Sequence, residues 1–301
     1  MGLFLIIGLG GNIIKEMKIS IILPAYNEEA SIKDVIERIR KTLGQDIEII
    51  VIDDCSIDKT ADIARELKAV VLSNPYRMGN GAAIKRGIRA ANGDVIVLMD
   101  ADGQHLPEEI PKLLEKIDRF DMVIGRRSLS KQEWWRSFAN VLYNALASYV
   151  SGVKIEDLTS GFRAVKRDKA IKFLYLLPNT FSYPTTLTLS FIKAAFPVTF
   201  IPVKVLPRKK GRSKINLFYD GMHFIVIIMK ISVFFSPLRV FLPVSALFFL
   251  CGFLYYLYTF ITAHRFTNMS ALLFTTSIII FMLGLISEQI ANLRMERIDS
   301  N

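Results

Sequence analysis

The sequence predicts an α/β domain built on a mainly parallel, doubly wound sheet. An amphipathic juxtamembrane helix and a two-helix transmembrane hairpin are expected after it. Three observations predict this. From Met17 to Lys214, short apolar runs alternate with amphipathic segments, the pattern of βαβ units. The first four runs each end in a polar, loop-forming cluster. Two uncharged stretches, at about 240–261 and 267–287, each have about the 20 residues a bilayer requires.

Taken in order, Lys18 to Leu23 is the first strand, and Pro24-Ala-Tyr26-Asn27-Glu28-Glu29 is the turn after it. Ile32, Val35, Ile36, Ile39 and Leu43 recur at helical spacing. Ile47 to Ile52 is the second strand, ending in Asp53-Asp54-Cys55-Ser56-Ile57-Asp58-Lys59-Thr60, with a helix to about Leu67. Ala69 to Ser73 is the third, followed by Asn74 to Gly81 and a helix that carries Lys85 and Arg86. Val95 to Met99 is a continuous apolar run, as in strands covered on both faces. It leads straight into Asp100-Ala-Asp102-Gly-Gln104-His105, after which Pro107, Glu108 and Glu109 open a helix. Asp121 to Ile124 is a fifth strand that reaches Arg126 and Arg127, and Val198 to Val205 is a late one. A helix begins at Trp134-Trp135-Arg136, whose tryptophans suit a membrane interface or a core equally.

The carboxyl ends of parallel strands share one edge, and ligands bind there in open α/β sheets. Singly, each polar cluster reads as a helix cap or a turn. Four in register favour a ligand crevice. Asp100 and Asp102 are two residues apart, so in extended chain both carboxylates face one side. Like charges that close call for a cation or a proton between them. Oxygen ligands suit Mg²⁺ or Mn²⁺, ions that usually arrive with a substrate's phosphates. No glycine-rich dinucleotide fingerprint or P-loop follows the first strand. Instead, Asp53 or Asp54 would accept hydrogen bonds from a base or ribose. Tyr26 would pack on the ring, and Arg77 and Lys85 would meet phosphate oxygens. Such a set suits a nucleoside diphosphate with a metal ion.

Composition agrees. Of 301 residues, 51% are hydrophobic, and the mean hydropathy is +0.35, with the excess toward the C-terminus. A net charge of +10 points to an anionic partner, phosphates or anionic lipid. Nucleic acid is the weaker choice, because no binding motif is present. Cys55 and Cys251 are not expected to meet, so no disulfide is expected and a reducing compartment fits. Residues 1–16 form an extension without an assigned role, with no basic start or cleavage site of a signal peptide. The catalytic domain is expected at 17–214, the juxtamembrane helix at 215–236 and the hairpin at 237–301. Lys204, Arg208, Lys209, Lys210, Arg212 and Lys214 make a basic loop beside the membrane. Lys230, Arg239, Arg294 and Arg297 flank the hairpin, which places both termini in the cytoplasm. Glu288 is expected at the interface, and the membrane helices offer a surface for a homo-oligomer.

Pro24-Ala-Tyr-Asn-Glu-Glu29, Asp53-Asp54-x-Ser56-x-Asp58-x-Thr60 and Asp100-Ala-Asp102-x-Gln104-His105, in that order, resemble the family 2 glycosyltransferases of GT-A fold. Among them the polyprenyl- and dolichyl-phosphate hexose synthases are the most similar. The resemblance continues through Gly125-Arg126-Arg127, Asp157-Leu-Thr-Ser160-Gly161-Phe162-Arg163 and Arg208-x-x-Gly211-x-Ser213-Lys214. It implies that Pro24, Tyr26, Glu28 and Asp53 hold the nucleotide, with Ala101 in the same donor site. Asp100, Asp102 and Gln104 would hold the metal and the diphosphate. The implied reaction moves a hexose, with inversion, from GDP-mannose or UDP-glucose to polyprenyl or dolichyl phosphate on the cytoplasmic face. A phosphate monoester is largely deprotonated at neutral pH, its second pKa being about 6, so no strong base is required. Arg127, Arg136, Arg208 and Lys214 are the expected acceptor-side cations. Asp157 would orient or deprotonate the acceptor, or pair with Arg163. Two departures leave the sugar open: Gly103 stands where many relatives have Leu, and Phe181-Ser-Tyr-Pro-Thr185-Thr186 where many have an acidic residue. The alternatives are an enzyme that extends a lipid-linked glycan and a catalytically silent membrane subunit.

Overall fold

Runs rich in Ile and Val form the sheet, because β-branched side chains pack well on a pleated surface. The computed structural model describes residues 4–5, 17–127, 141, 144–145, 147–149, 151–179, 182–206 and 233–299. The strands are β1 (Phe4–Leu5), β2 (Met17–Ala25), β3 (Glu48–Asp53), β4 (Val70–Ser73), β5 (Val95–Leu98), β6 (Met122–Arg127), β7 (Arg163–Lys166) and β8 (Val198–Val203). Their order is β4-β3-β2-β5-β7-β6-β8, with β1 paired antiparallel to the start of β2. β4, β3, β2 and β5 are parallel, so Ser73, Asp53, Ala25 and Leu98 end on one edge.

The helices of this unit are α1 (Ile32–Leu43), α2 (Thr60–Glu66), α3 (Asn80–Ala90), α4 (Ile110–Leu114), α5 (Arg167–Lys172) and α6 (Tyr183–Lys193), with a 3-10 turn at Pro107–Glu109 before α4. The five apolar residues of α1 are all buried, as their spacing of three and four requires. They join Ile21, Leu23, Ile49, Val51 and Val97 in the core. Every position of β5 is buried, as expected for an interior strand.

The sequence does not announce β7. This strand runs antiparallel between β5 and β6, while β8 runs parallel to β6, so the sheet is mixed. The reason is physical: Arg163-Ala-Val-Lys166 is short and charged at both ends, and its strand character comes from neighbours on both sides.

Contacts divide the chain into one unit of residues 1–144 and 154–214 and a second of 145–153 and 215–301. The second contains α7 (Leu238–Ala263) and α8 (Asn268–Asp299). Leu238–Ala263, with mean hydropathy 2.1, and Asn268–Arg294, with 2.3, are each long and apolar enough to cross a membrane. His264 ends α7 in the left-handed conformation, φ 48°, and its N–H bonds to Phe260 O at 3.0 Å. The two helices touch closely. Ser277 Oγ donates to Ser245 O at 2.8 Å, and a Cβ on Gly284 would lie 2.7 Å from Phe241 Cβ. Glu288 accepts the Leu238 N–H at 3.1 Å, which satisfies one of the open donors at the start of α7. Trp134, Trp135, Arg136, the basic run 208–214 and most of the juxtamembrane segment lie outside the described residues.

Candidate functional site

The turns after β2 and β3 are folded into each other. Asn27 adopts φ 56°, a left-handed conformation that Asn tolerates better than most residues. Its Oδ1 accepts the Ile57 N–H at 2.9 Å, and its own N–H donates to Ser56 Oγ at 3.0 Å. The Glu28 N–H donates to Thr60 Oγ1 at 2.8 Å, and the Glu29 N–H to Asp58 Oδ2 at 3.2 Å. Burial opposes charge on Asp58, but hydrogen bonds from the Thr60 hydroxyl and N–H outweigh it and hold the carboxyl below its usual range. Asn27, Ser56, Asp58 and Thr60 therefore build the edge and spend their polar groups on each other's turns.

Above this edge opens a crevice of about 330 Å³. Pro24, Tyr26, Glu28, Asp54, Arg77, Asp100, Ala101 and Asp102, all singled out from sequence, line it. The Arg77 guanidinium stands 4.2 Å from the centroid of the Tyr26 ring, a cation–π stack. Asp54 is already engaged: it accepts Asn74 Nδ2 at 2.7 Å and the Met78 and Gly79 N–H groups at 2.8 Å each. It holds the loop that carries Arg77. Gly79 is needed there because its φ is +95° and a Cβ would lie 2.5 Å from Asn179 O.

Asp53, Lys85 and Gln104 are not among the lining residues. Asp53 is buried, and its Oδ1 accepts the Ser56 N–H at 3.1 Å. Lys85 Nζ turns to Leu177 O at 3.1 Å and to Asn179 Oδ1. Burial, with help from Arg89, lowers its pKa.

At the floor, the Asp100 N–H donates to His105 Nδ1 at 3.3 Å, and the Gln104 N–H to Asp102 Oδ1 at 3.0 Å. Ser31, which the motifs do not flag, stands at the N-cap of α1 without a capping bond. Its Oγ lies 2.8 Å from Ala101 O and 2.9 Å from Glu28 Oε2, so it fastens the first motif to the acidic one. Only its place at the start of α1 marks it in sequence. On the far side, Leu206 N–H donates to Gln104 O at 2.8 Å, and His105 bridges to Val205. The acidic loop is thereby tied to the chain that leads into the basic run.

Asp100 keeps 38% of its side chain open, yet its carboxyl is pushed above the usual range. Enclosure by the crevice walls is the main cause; His105 opposes it and the Asp102 charge adds to it. An acid pair that resists carrying two negative charges suits a cation. Among the described residues no three Asp, Glu, His or Cys side chains cluster to cage an ion. The two carboxylates that are present, Asp100 and Asp102, are oxygen donors of the kind that fit a divalent ion whose remaining ligands come from phosphate and water.

Beyond the floor, two ion pairs close the end of β6 onto residues 156–157. Arg126 Nε meets Glu156 Oε2 at 3.1 Å, and Arg127 Nε meets Asp157 Oδ2 at 3.0 Å. Of the two readings of Asp157, orienting the acceptor or pairing with Arg163, the second is not what forms: Asp157 is paired with Arg127. Arg163 is fully buried and donates instead to Pro184 O and Thr188 Oγ1, each at 3.0 Å, and to Ser160 O. Burial lowers its pKa to about 10. Burial of Asp157 favours its neutral form, but the Arg127 hydrogen bonds and charge dominate and hold it below its usual range. Arg136, Arg208 and Lys214 lie outside the described residues.

Residues 20–174 match the family described as Glycosyl transferase family 2. The chain belongs to this family. Residues 236–293 match the GtrB C-terminal hairpin, so α7 and α8 fit a transmembrane hairpin. Over 220 residues the chain is 33% identical to an undecaprenyl-phosphate 4-deoxy-4-formamido-L-arabinose transferase of Edwardsiella ictaluri, covering 67% of this chain and 66% of that one. It is 37% identical over 165 residues to a dolichol-phosphate mannosyltransferase of Pyrococcus furiosus, covering 50% and 47%. The match thus spans about two thirds of the first relative and about half of the second. Among solved structures, glucosyl-3-phosphoglycerate synthase of Mycobacterium tuberculosis superposes with a TM-score of 0.59 at 22% identity, over 72% of this chain and 80% of that one. The fold is accordingly GT-A-like.

Proposed function

We propose that this family 2 member is a membrane glycosyltransferase that moves a hexose from a nucleoside diphosphate sugar to a polyprenyl phosphate, with inversion. The observation that carries this is the acid pair Asp100/Asp102 at the floor of a crevice whose rim is Tyr26 under Arg77. The relatives named above act on undecaprenyl and dolichol phosphate by name, and the synthase has been solved with Mn²⁺ and UDP-glucose. Those properties suit the apolar hairpin and the carboxylates found here.

In this reading Tyr26 and Arg77 receive the base, and Asp100 and Asp102 hold a divalent ion, Mg²⁺ or Mn²⁺, on the diphosphate, while Gln104, off the crevice lining, holds the acidic loop in place through its N–H to Asp102 Oδ1. When bound, the ion would offset the charge that develops on the leaving diphosphate. The chain's own task is aim and charge balance. Arg127, kept in place by Asp157, faces the acceptor phosphate, and Arg136, Arg208 and Lys214 extend that cationic side. Asp157, held below the usual carboxyl range, is a poor proton acceptor and serves to orient Arg127. The acceptor monoester is already an anion, with its second pKa at about 6, so its oxygen attacks directly and inverts the anomeric carbon. The basic residues that flank the hairpin in the sequence support a cytoplasmic side for the catalytic unit and both termini.

The test is a panel of radiolabelled nucleotide-sugars, GDP-mannose and UDP-glucose first, supplied to membranes with added polyprenyl phosphate. Label is expected in a mild-acid-labile lipid for one donor. EDTA is expected to stop transfer, and Mg²⁺ or Mn²⁺ to restore it. Label that accumulates only in longer glycan would replace the proposal with chain extension. Absence of label with every donor would mean a silent subunit.

A further inference from the structure

Gly161 is not a glycine for backbone reasons. It is absent from the residues with positive φ, so alanine would suit its conformation. Space is what makes a side chain tight there. A Cβ at Gly161 would lie 3.2 Å from Asp100 Oδ2, 3.6 Å from Asp100 Oδ1 and 3.5 Å from the Tyr183 hydroxyl. The Asp100 carboxylate therefore rests on the bare Cα of Gly161. The phenol of Tyr183, buried at the start of α6, meets the same spot.

The segment around Gly161 has little freedom to give way. Ser160 Oγ donates to Gly125 O at 2.6 Å. Phe162 stacks on His105 with ring centroids 5.1 Å apart, and His105 Nδ1 accepts the Asp100 N–H. Arg163 is bonded to Ser160 O, Pro184 O and Thr188 Oγ1, which joins this segment to the helix of Tyr183.

We infer that Gly161 and Tyr183 are positioning residues that fix the Asp100 carboxylate for its divalent ion and diphosphate. The inference rests on the donor-site reading given above. A merely structural glycine at an ordinary φ would be replaced by alanine with a gain in stability, because alanine narrows the unfolded ensemble. A seat for a carboxylate predicts something else. The protein stays folded, while Asp100 shifts by a few tenths of an ångström and binds metal less well.

The experiment uses the full chain in detergent, with Mn²⁺ binding followed by electron paramagnetic resonance in the presence of UDP or GDP. Gly161→Ala is expected to weaken Mn²⁺ binding about 10-fold, the usual scale for residues that orient a metal ligand. Metal-free nucleotide affinity and the melting temperature should not fall. Tyr183→Phe, which removes one oxygen only, should weaken Mn²⁺ in the same direction, and it carries the test if Gly161→Ala fails to fold. Wild-type Mn²⁺ affinity in either variant overturns the role of that residue. If the unmutated protein binds no Mn²⁺ with either nucleotide, the donor-site reading itself falls and takes the seat with it.

Discussion

At the scale of single residues, the acid and base partners decide what each group can do. Asp157 is the clearest case. Its carboxyl is held below its usual range once Arg127 outweighs burial, so the pair stabilises the fold fully above the unfolded value of about 3.9. That contribution fades as pH falls through the lower folded value. Asp157→Asn should therefore cost about 1 kcal/mol at neutral pH, a modest figure because Arg127 is 41% exposed. The deficit should shrink on acidification, which thermal melts at stepped pH would show. Spacing in the sequence could nominate Asp157 but not its partner, because the choice between Arg127 and Arg163 depends on which strand lies beside which. Asp54 and Lys85 are similar cases. Their chemistry is plain in the sequence, yet one is occupied with the Asn74–Gly79 loop and the other with residues 177–179.

At the scale of elements, legibility followed how local the cause is. β5 was readable because a run buried on both faces is continuously apolar, and its acids follow it directly. The turn motifs were readable as polar clusters, although the division of labour inside them was not. Asn27, Ser56, Asp58 and Thr60 turned out to brace the edge through contacts about thirty residues apart in sequence. β7 was hidden because an arginine is almost never fully buried, and only the sheet on both sides makes Arg163 a strand residue. The bracing can be weighed. Thr60 is fully buried and accepts the Glu28 N–H. Thr60→Val strands that donor and should lower stability by about 1–3 kcal/mol, and nucleotide affinity should fall with it. A thermal shift of the purified protein, with and without UDP or GDP, would record both effects.

At the scale of the whole molecule, a crevice floored by Asp100 and Asp102 and an apolar hairpin share one chain, which is why a nucleotide-sugar is proposed together with a lipid-borne acceptor. The hairpin was legible from length and composition alone. Its internal contacts were not, since Gly284 against Phe241 and Glu288 on the Leu238 N–H need the two helices side by side. Gly284→Val should push the helices apart at a cost of about 1–3 kcal/mol, seen as a lower melting temperature in detergent. A reporter fused after Asn301 that fluoresces only in the cytoplasm should be bright if both termini lie there. The central claim is that the Asp100/Asp102 floor performs transfer to a membrane-borne phosphate. Its most direct test is to supply labelled donor and undecaprenyl phosphate to membranes that carry equal amounts of the wild-type chain or Asp102→Asn. Label should enter the lipid in the wild type and fall by about 100-fold or more in the variant, whereas wild-type transfer by Asp102→Asn would contradict the account.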